Sequence, residues 1–581
     1  MDTEVVKVIE PTPASPKKSH IHLSSDVWNH FTKREDGSAV CKYCSPEKTY
    51  GANTGNSTLK GHLQKHHPEL VPDAKQAKIE DALRTPMTPT EAAVMDQLLR
   101  NFIIEGLQAF RMVESPAFRD FVRALNCRYQ APCRQTVATS IAKEFSEVQE
   151  SITACFKRVP GLVTCTTDCW QSPAYDSYMA VTVHWISKDW EMRGLTVAMV
   201  DVPESHTGNY LCNKLLEALQ LYKVEPKVGA IISDNASNAM LASSLTKEKL
   251  SDEWGHPVVT LRCVAHIIHL VVTAGLKSSD ELLTRVKKLV ALIRKSHVLR
   301  DKLRNFCKAN GEAFHIPQAE VDIRWNSTLT MLESVFTMPK SLEMTIEGGC
   351  GVSAAEWGRL QELVDFLQVF KECTEVVSGS QYVTMSKAAY MCNNLKRHLH
   401  LHRRIQGLDV DEMNSKLDKY LGDINSQALL ATFLDPCFVD TMERNQKLQA
   451  ISSLKNILKK STTKEPPRKR SFLSRGFDDT IVGEAELEEF PELERYLQSF
   501  KLDWNGNPLE WWRKSEKDLP ELAAIARSEL SKLASSVPSE QSFSRGGLIV
   551  TDLRNRLDPS TVESLIVLES WKRSQRKKEN L

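Results

Sequence analysis

At 581 residues the chain exceeds one ordinary domain and can bury several cores. Its 41% hydrophobic and 26% charged residues are the composition of a folded globular protein, which excludes collagen-like and low-complexity chains. Lys and Arg number 75 against 74 Asp and Glu, so total charge points to no partner, and any nucleic-acid surface has to be local.

Residues 1–20 read as a disordered tail, acidic and then rich in Pro, Ser and Lys, with no apolar signal core. A compact segment follows over 21–68, then a polar linker, 69–90, that contains three prolines. From 91 to 157 apolar residues recur at helical spacing, as in Val94, Leu98, Phe102, Ile103 and Leu107. The pattern then changes to strands: Leu162–Asp168, Tyr178–Ile186, Gly194–Val202, Val228–Asp234 and Val258–Cys263. A helical stretch, Tyr210–Leu221, separates the third from the fourth, and the set predicts an α/β or mixed sheet. Helical periodicity returns from Ile267 to about Lys460, a basic proline-containing gap spans Lys459–Arg475, and a last helical block covers Leu487–Arg576. No apolar run approaches the roughly 18 residues of a membrane span. The longest, Ile267–Gly275, is broken by His269 and Thr273. A cytosolic or nuclear chain without a membrane partner is expected.

Fourteen cysteines are scattered, apart from one C-x-x-C and one C-x-x-H pair, which predicts a metal site and buried thiols rather than disulfides. Cys41-x-x-Cys44 is followed by His62, His66 and His67. Two thiolates on a tight knuckle and two imidazoles from one helix make a closed tetrahedral Zn²⁺ shell. The residues alone leave the fourth ligand open between His66 and His67. Val27-Trp-Asn-His-Phe31, the cysteine pair and His62-x4-His67-Pro68 resemble the BED finger of transposases and chromatin proteins. That resemblance selects His67, which the proline follows, and sets Lys42, Lys60 and Lys65 near DNA phosphates.

Two aspartates sit at the ends of apolar strands, in Thr166-Thr-Asp168 and Ile231-Ile-Ser-Asp234. A carboxylate at a strand end is held rigidly, as a metal-dependent nuclease requires, but aspartates there are also common turn residues. Thr167-Asp168-Cys169-Trp170, Ser233-Asp234-Asn235-Ala236-Ser237-Asn238, Cys263-Val-Ala-His266, Arg324-Trp325-Asn326, Leu434-Asp435-Pro436 and Trp511-Trp512 with Leu533–Ser544 resemble, in order, the motifs of the hAT transposase superfamily. The resemblance spans about residues 20–575.

The resemblance implies an α/β multidomain protein. A BED finger (21–68) and a helical DNA-binding or dimerisation region (91–157) would precede an RNase H-like core beginning at 158–266. A large all-helical insertion (267–505) would interrupt that core, and 506–581 would complete it and carry the C-terminal dimerisation region. It implies a catalytic trio, Asp168, Asp234 and Glu540, holding two Mg²⁺ or Mn²⁺ ions, with Cys263 and His266 bracing the site. Trp325 would stack on a flipped base with Arg324 at its phosphate. The implied partners are double-stranded DNA and a second copy of the chain, and the implied activity is cutting and joining of transposon ends in the nucleus. A regulator that keeps binding but not cleavage is the alternative. Gln541, where the family often has Arg, and Ser544-Arg-Gly-Gly547 depart from the pattern. Two basic runs, Lys464–Arg470 and Lys572–Lys578, are candidate import signals or DNA-backbone patches.

Overall fold

The structure, a computed structural model, describes residues 26–70, 87–172, 175–320, 325–346, 351–462, 490–499, 501–551 and 557–579. The expected tail, most of the linker, Arg324 and the Lys464–Arg470 run lie outside the described residues. The chain forms two compact units: Met1–Met95 with Pro116–Ala131, and Asp96–Ser115 with Pro132–Leu581.

The first unit holds three short antiparallel strands, β1 (Phe31–Lys33), β2 (Ala39–Cys41) and β3 (Thr49–Tyr50), followed by a helix, Asn56–His66. The β1–β2 turn uses Gly37 at φ +83, which a residue with a Cβ rarely adopts, and Asp36 accepts from the Ser38 N–H at 2.9 Å. Val27, Phe31, Ala39, Leu59 and Leu63 make its core. So few apolar residues make a small core for a module of this size.

The second unit is built on a five-stranded sheet in the order β6-β5-β4-β7-β8. Its strands are β4 (Val163–Gln171), β5 (Ser177–Ile186), β6 (Met192–Asp201), β7 (Val228–Ser233) and β8 (Val259–Arg262). The first three are an antiparallel meander. β7 and β8 add in parallel on the other side of β4, through helices Gly208–Leu221 and Ser237–Trp254. The chain therefore leaves β4 in one direction and returns beside it in the other, and the crevice at such a switch point is where open sheets hold ligands.

The two sheet faces differ. Cys165, Val181, Val183, Leu195, Val197 and Ile231 bury one face against Ile152, Phe156, Leu211 and Leu215. Ala230 and Ile232 on the other face join a core that continues into the helices after β8. Among the described residues after Arg262 there are helices and no strand. The last two matter most here: Val537–Ile549, the glutamate helix, and Pro559–Glu579, the closing helix. The closing helix covers the β6 edge. Ser570 Oγ accepts from the Thr196 N–H at 2.9 Å and Glu563 Oε1 from the Met199 N–H at 3.4 Å, so the outer strand keeps no bare edge there.

All five expected strands occur, with shifted ends. The main correction concerns Asp168, which does not end its strand. β4 pairs with β7 only as far as Thr166↔Ile232, then continues to Gln171 against β5, with Asp168 opposite Ala180. It is the loss of one neighbour, not the end of the strand, that opens space at the carboxylate.

The C-terminal apolar pattern is spent inward. Trp512, Leu522, Leu530, Leu565 and Leu568 are each 0% exposed, so none of these five faces a partner. Trp512 Nε1 donates to the Leu434 carbonyl at 2.8 Å and Tyr496 Oη to the Phe433 carbonyl at 2.6 Å. Asp435, fully buried, accepts from Ser386 Oγ at 2.6 Å and from the Cys437 N–H at 2.9 Å. The Leu-Asp-Pro and Trp-Trp motifs are thus two halves of one internal knot. No described helix is long and apolar enough to cross a membrane.

Candidate functional site

In the finger, Cys41 ends β2, Cys44 follows on the knuckle, and His62 lies on the buried face of the helix. His67 caps that helix with non-helical torsions (φ −142, ψ 56), which turn its ring back toward the cysteines. The ligand atoms of Cys41, Cys44, His62 and His67 all lie within 4.8 Å of one another. Cys44 Sγ stands 3.3 Å from His62 Nε2 and 3.2 Å from His67 Nε2. Two thiols and two imidazoles at this spacing fit a tetrahedral Zn²⁺, whose bonds of about 2.0–2.3 Å require it. Burial, then the neighbouring His66 and His67, hold the His62 imidazole below its ordinary value, toward the neutral form that ligates metal. His66 is exposed. The lysines expected near DNA, Lys42, Lys60 and Lys65, are all exposed, and Lys42 Nζ donates to the Asn29 carbonyl at 2.9 Å.

Asp168, Asp234 and Glu540 line one cleft of about 700 Å³. Asp168 and Glu540 are 372 positions apart, and each of the three comes from a different element: β4, the turn after β7, and the first turn of the glutamate helix. Burial, then Asp234, and last Glu540 push Asp168 up to about 8, against the one favourable contact of the Cys169 N–H on Oδ1 at 2.8 Å. Asp234 Oδ1 accepts from the Ala236 N–H at 3.3 Å. Among the described residues lining the cleft there is no lysine or arginine. Three acids converging on one cleft supply the oxygen donors that divalent ions take. Within the described residues only the finger's ligands close to a single-ion shell, so the three acids are set more widely than that.

Cys263 and His266 border the same cleft. Cys263 is buried, with its thiol pushed up to about 11 by desolvation, and its Sγ accepts from the Ser536 N–H at 3.4 Å. The adjacent Val264 N–H donates to the Ala534 carbonyl at 2.8 Å. These two bonds tie the turn after β8 to the segment that delivers Glu540. Asn235 Nδ2 donates to the Cys263 carbonyl at 3.4 Å, joining the Asp234 turn to the same point. Trp325 also lines the cleft but is only 5% exposed, packed in the helical core.

Several cleft residues were not anticipated. Trp170 lies two residues after Asp168 and stacks on Phe543 at 5.8 Å between centroids, with an 18° interplanar angle. Phe543, Ser544 and Gly547 follow Glu540 by three, four and seven positions, and that helical spacing was the available signal. His269 is likewise one turn beyond Cys263–His266, and its ring lies 5.8 Å from that of His266. The departures from the family pattern have local explanations. Gln541 lines a neighbouring cavity with Arg193 and Arg573, not the carboxylate cleft. A Cβ on Gly546 would stand 2.8 Å from Met199 Cε and 3.5 Å from Trp170, so the small residue lets the helix sit close to the sheet.

The C-terminal basic run is largely committed within the chain. Lys572 pairs with Glu144 and donates to Asn101 Oδ1 at 2.9 Å, Arg573 pairs with Glu569 at 3.6 Å, and Arg576 with Glu105 at 2.8 Å.

Four family models match the chain: the BED zinc finger over residues 25–68, the ZBED1 RNase-like domain over 166–255, the ZBED1 RNase-like helical domain over 261–366, and the hAT family C-terminal dimerisation region over 492–572. The chain is 27% identical to the putative AC transposase of Zea mays, across 97% of this chain and 78% of that protein. It is 24% identical to zinc finger BED domain-containing protein 4 of Homo sapiens, across 91% of this chain and 50% of that protein. It is 22% identical to zinc finger BED domain-containing protein RICESLEEPER 3 of Oryza sativa, across 98% and 86%. The finger, the RNase-like sheet with its helical extension and the C-terminal region are thus similar, in that order, to segments of hAT transposase-related and BED-finger proteins.

Proposed function

We propose that this chain is a nuclear hAT-type DNA transposase, which binds the ends of a mobile element as double-stranded DNA and cuts and joins them. The observation that carries this reading is the shared cleft of Asp168, Asp234 and Glu540, brought together from three remote parts of the chain. Asp168, Asp234 and Glu540 would hold two Mg²⁺ or Mn²⁺ ions, which when bound supply Lewis-acid activation of a phosphodiester and its attacking oxygen. Cys263 fixes the approach of the glutamate helix, and His266 and His269 add imidazoles to the wall. The BED finger, holding Zn²⁺ through Cys41, Cys44, His62 and His67, supplies DNA binding, and exposed Lys60 and Lys65 fit contacts to phosphate. Self-association through the C-terminal region brings two copies to two ends. Nuclear import would use one of the two basic runs, Lys464–Arg470 or Lys572–Lys578, in the second of which Lys572, Arg573 and Arg576 are also paired with acids of the same chain.

A second reading, a BED-finger regulator without cleavage, is favoured by the burial of Trp325, which offers little ring to a flipped base. One experiment separates the two. Asp234→Asn is expected to abolish Mg²⁺-dependent nicking of DNA carrying the element's own terminal repeats, while leaving binding to that DNA unchanged. Wild type and Asp234→Asn equally inert on those ends would give the regulator reading the field.

A further inference from the structure

The glutamate helix rests on the sheet through hydroxyl groups. Ser539, immediately before Glu540, has its Oγ 2.7 Å from Thr166 Oγ1. Thr166 lies two residues before Asp168 on the same strand, hence on the same face of the sheet. Thr166 Oγ1 is in turn 2.6 Å from Thr182 Oγ1, its partner across the β4–β5 ladder, and Thr182 Oγ1 is 2.7 Å from His184 Nε2. The four side chains are buried, between 0 and 3% exposed, so no solvent substitutes for a lost bond. His184 is held neutral by burial, its value driven down to about 3, and its ring lies over Gly194, where a Cβ would stand 2.5 Å from Nδ1. The far end of the chain of hydrogen bonds is therefore pinned. A parallel bridge, Thr196 Oγ1 to Ser542 Oγ at 2.9 Å, fixes the next turn of the helix to β6.

We propose that the Thr166–Ser539 hydroxyl pair is a positioning device that sets Glu540 against Asp168, and so sets the affinity of the cleft for divalent cations. It is a direct side-chain bond between the two carboxylate-bearing elements, spanning 373 positions of sequence. The inference rests on the reading of the three acids as metal holders. A bond of this kind is worth about 1 kcal/mol net, and more when its loss strands a buried hydroxyl.

The discriminating variants act at one site. Thr166→Val keeps the shape and removes the hydroxyl, whereas Thr166→Ser keeps the hydroxyl and removes a methyl. Mn²⁺ binding to the full chain with its finger zinc-loaded is measured by electron paramagnetic resonance, and folding by thermal melting. Thr166→Val and Ser539→Ala are each expected to weaken Mn²⁺ binding about five- to tenfold, and Thr166→Ser less than about twofold. Because the two variants break the same bond from opposite sides, misfolding of one leaves the other to decide. Folded Thr166→Val with wild-type Mn²⁺ affinity, or Thr166→Ser as weak as Thr166→Val, overturns the positioning role. A wild-type chain that binds no more Mn²⁺ than Asp168→Asn overturns the metal-holding reading itself, a separate and distinguishable result.

Discussion

Neutralising Asp168 should stabilise the metal-free protein, and the gain should depend on pH in a defined direction. The carboxyl is pushed from an ordinary 3.8 to about 8, chiefly by burial. Below about pH 4 the group is protonated in both folded and unfolded chains and contributes nothing. As pH rises from about 4 to 8 the unfolded chain ionises while the folded site resists, so stability falls across that window and levels off above it. At about 1.4 kcal/mol per unit, the cost at pH 7 is bounded by about 4 kcal/mol. Asparagine still buries a polar group there, so the net gain of Asp168→Asn is about 1–3 kcal/mol. Calorimetric melting of both proteins, zinc-loaded in the finger but free of Mg²⁺, should show Asp168→Asn melting above wild type at pH 8 and the difference closing toward pH 5. Saturating Mg²⁺ should then raise wild type selectively, by about 2.7 kcal/mol at a hundred times Kd. A variant that melts below wild type at pH 8 without Mg²⁺, or a gap independent of pH, would refute the argument that burial penalises the charged form of Asp168.

Cys41→Ser should reduce bound zinc from about one ion per chain to none and weaken DNA binding about tenfold or more, with the main melting transition of the second unit unchanged. Trp512→Ala should cost about 3–5 kcal/mol in urea unfolding, since it empties a fully buried site and removes the donor to the Leu434 carbonyl. Truncation near Asp503 should unfold the second unit outright, because Trp512, Leu522, Leu530, Leu565 and Leu568 belong to its interior. Self-association is better probed at the surface. Leu548, 64% exposed within the matched dimerisation region, should on substitution to Asp shift sedimentation toward monomer without lowering the melting temperature.

Legibility in the sequence followed the range of the interactions. The finger was readable because its four ligands fall within Cys41–His67 and their chemistry admits few alternatives. The strands were readable from their apolar, β-branched runs, and their ends less so, since Gln171 belongs to β4 only because β5 pairs there. Asp168 and Asp234 stood out beside apolar runs, whereas Glu540 had no local signature beyond a helix start and entered through resemblance. What stayed hidden depends on pairing across hundreds of positions. Nothing around Ser539 announces Thr166, and nothing in Lys572–Arg576 announces Glu144 and Glu105. Likewise nothing in Trp511-Trp512 announces the Leu434 carbonyl that accepts from the second indole.

The closing helix has a consequence for how the protein is made. During synthesis the sheet emerges long before residues 559–579 do, and until then β6 presents an uncapped edge to the crowded surroundings of the ribosome. The carboxylate cleft is unfinished over most of the same interval, since Glu540 is made 372 positions after Asp168, and Ser539, whose hydroxyl anchors its helix, 373 after Thr166. A message with a late premature stop would therefore yield a chain with an intact finger, an open strand edge and no completed cleft. Such a product would lack the third acid and would offer its bare edge to chaperones, so for this architecture residues 539–579 decide whether the sheet is covered and the cleft complete.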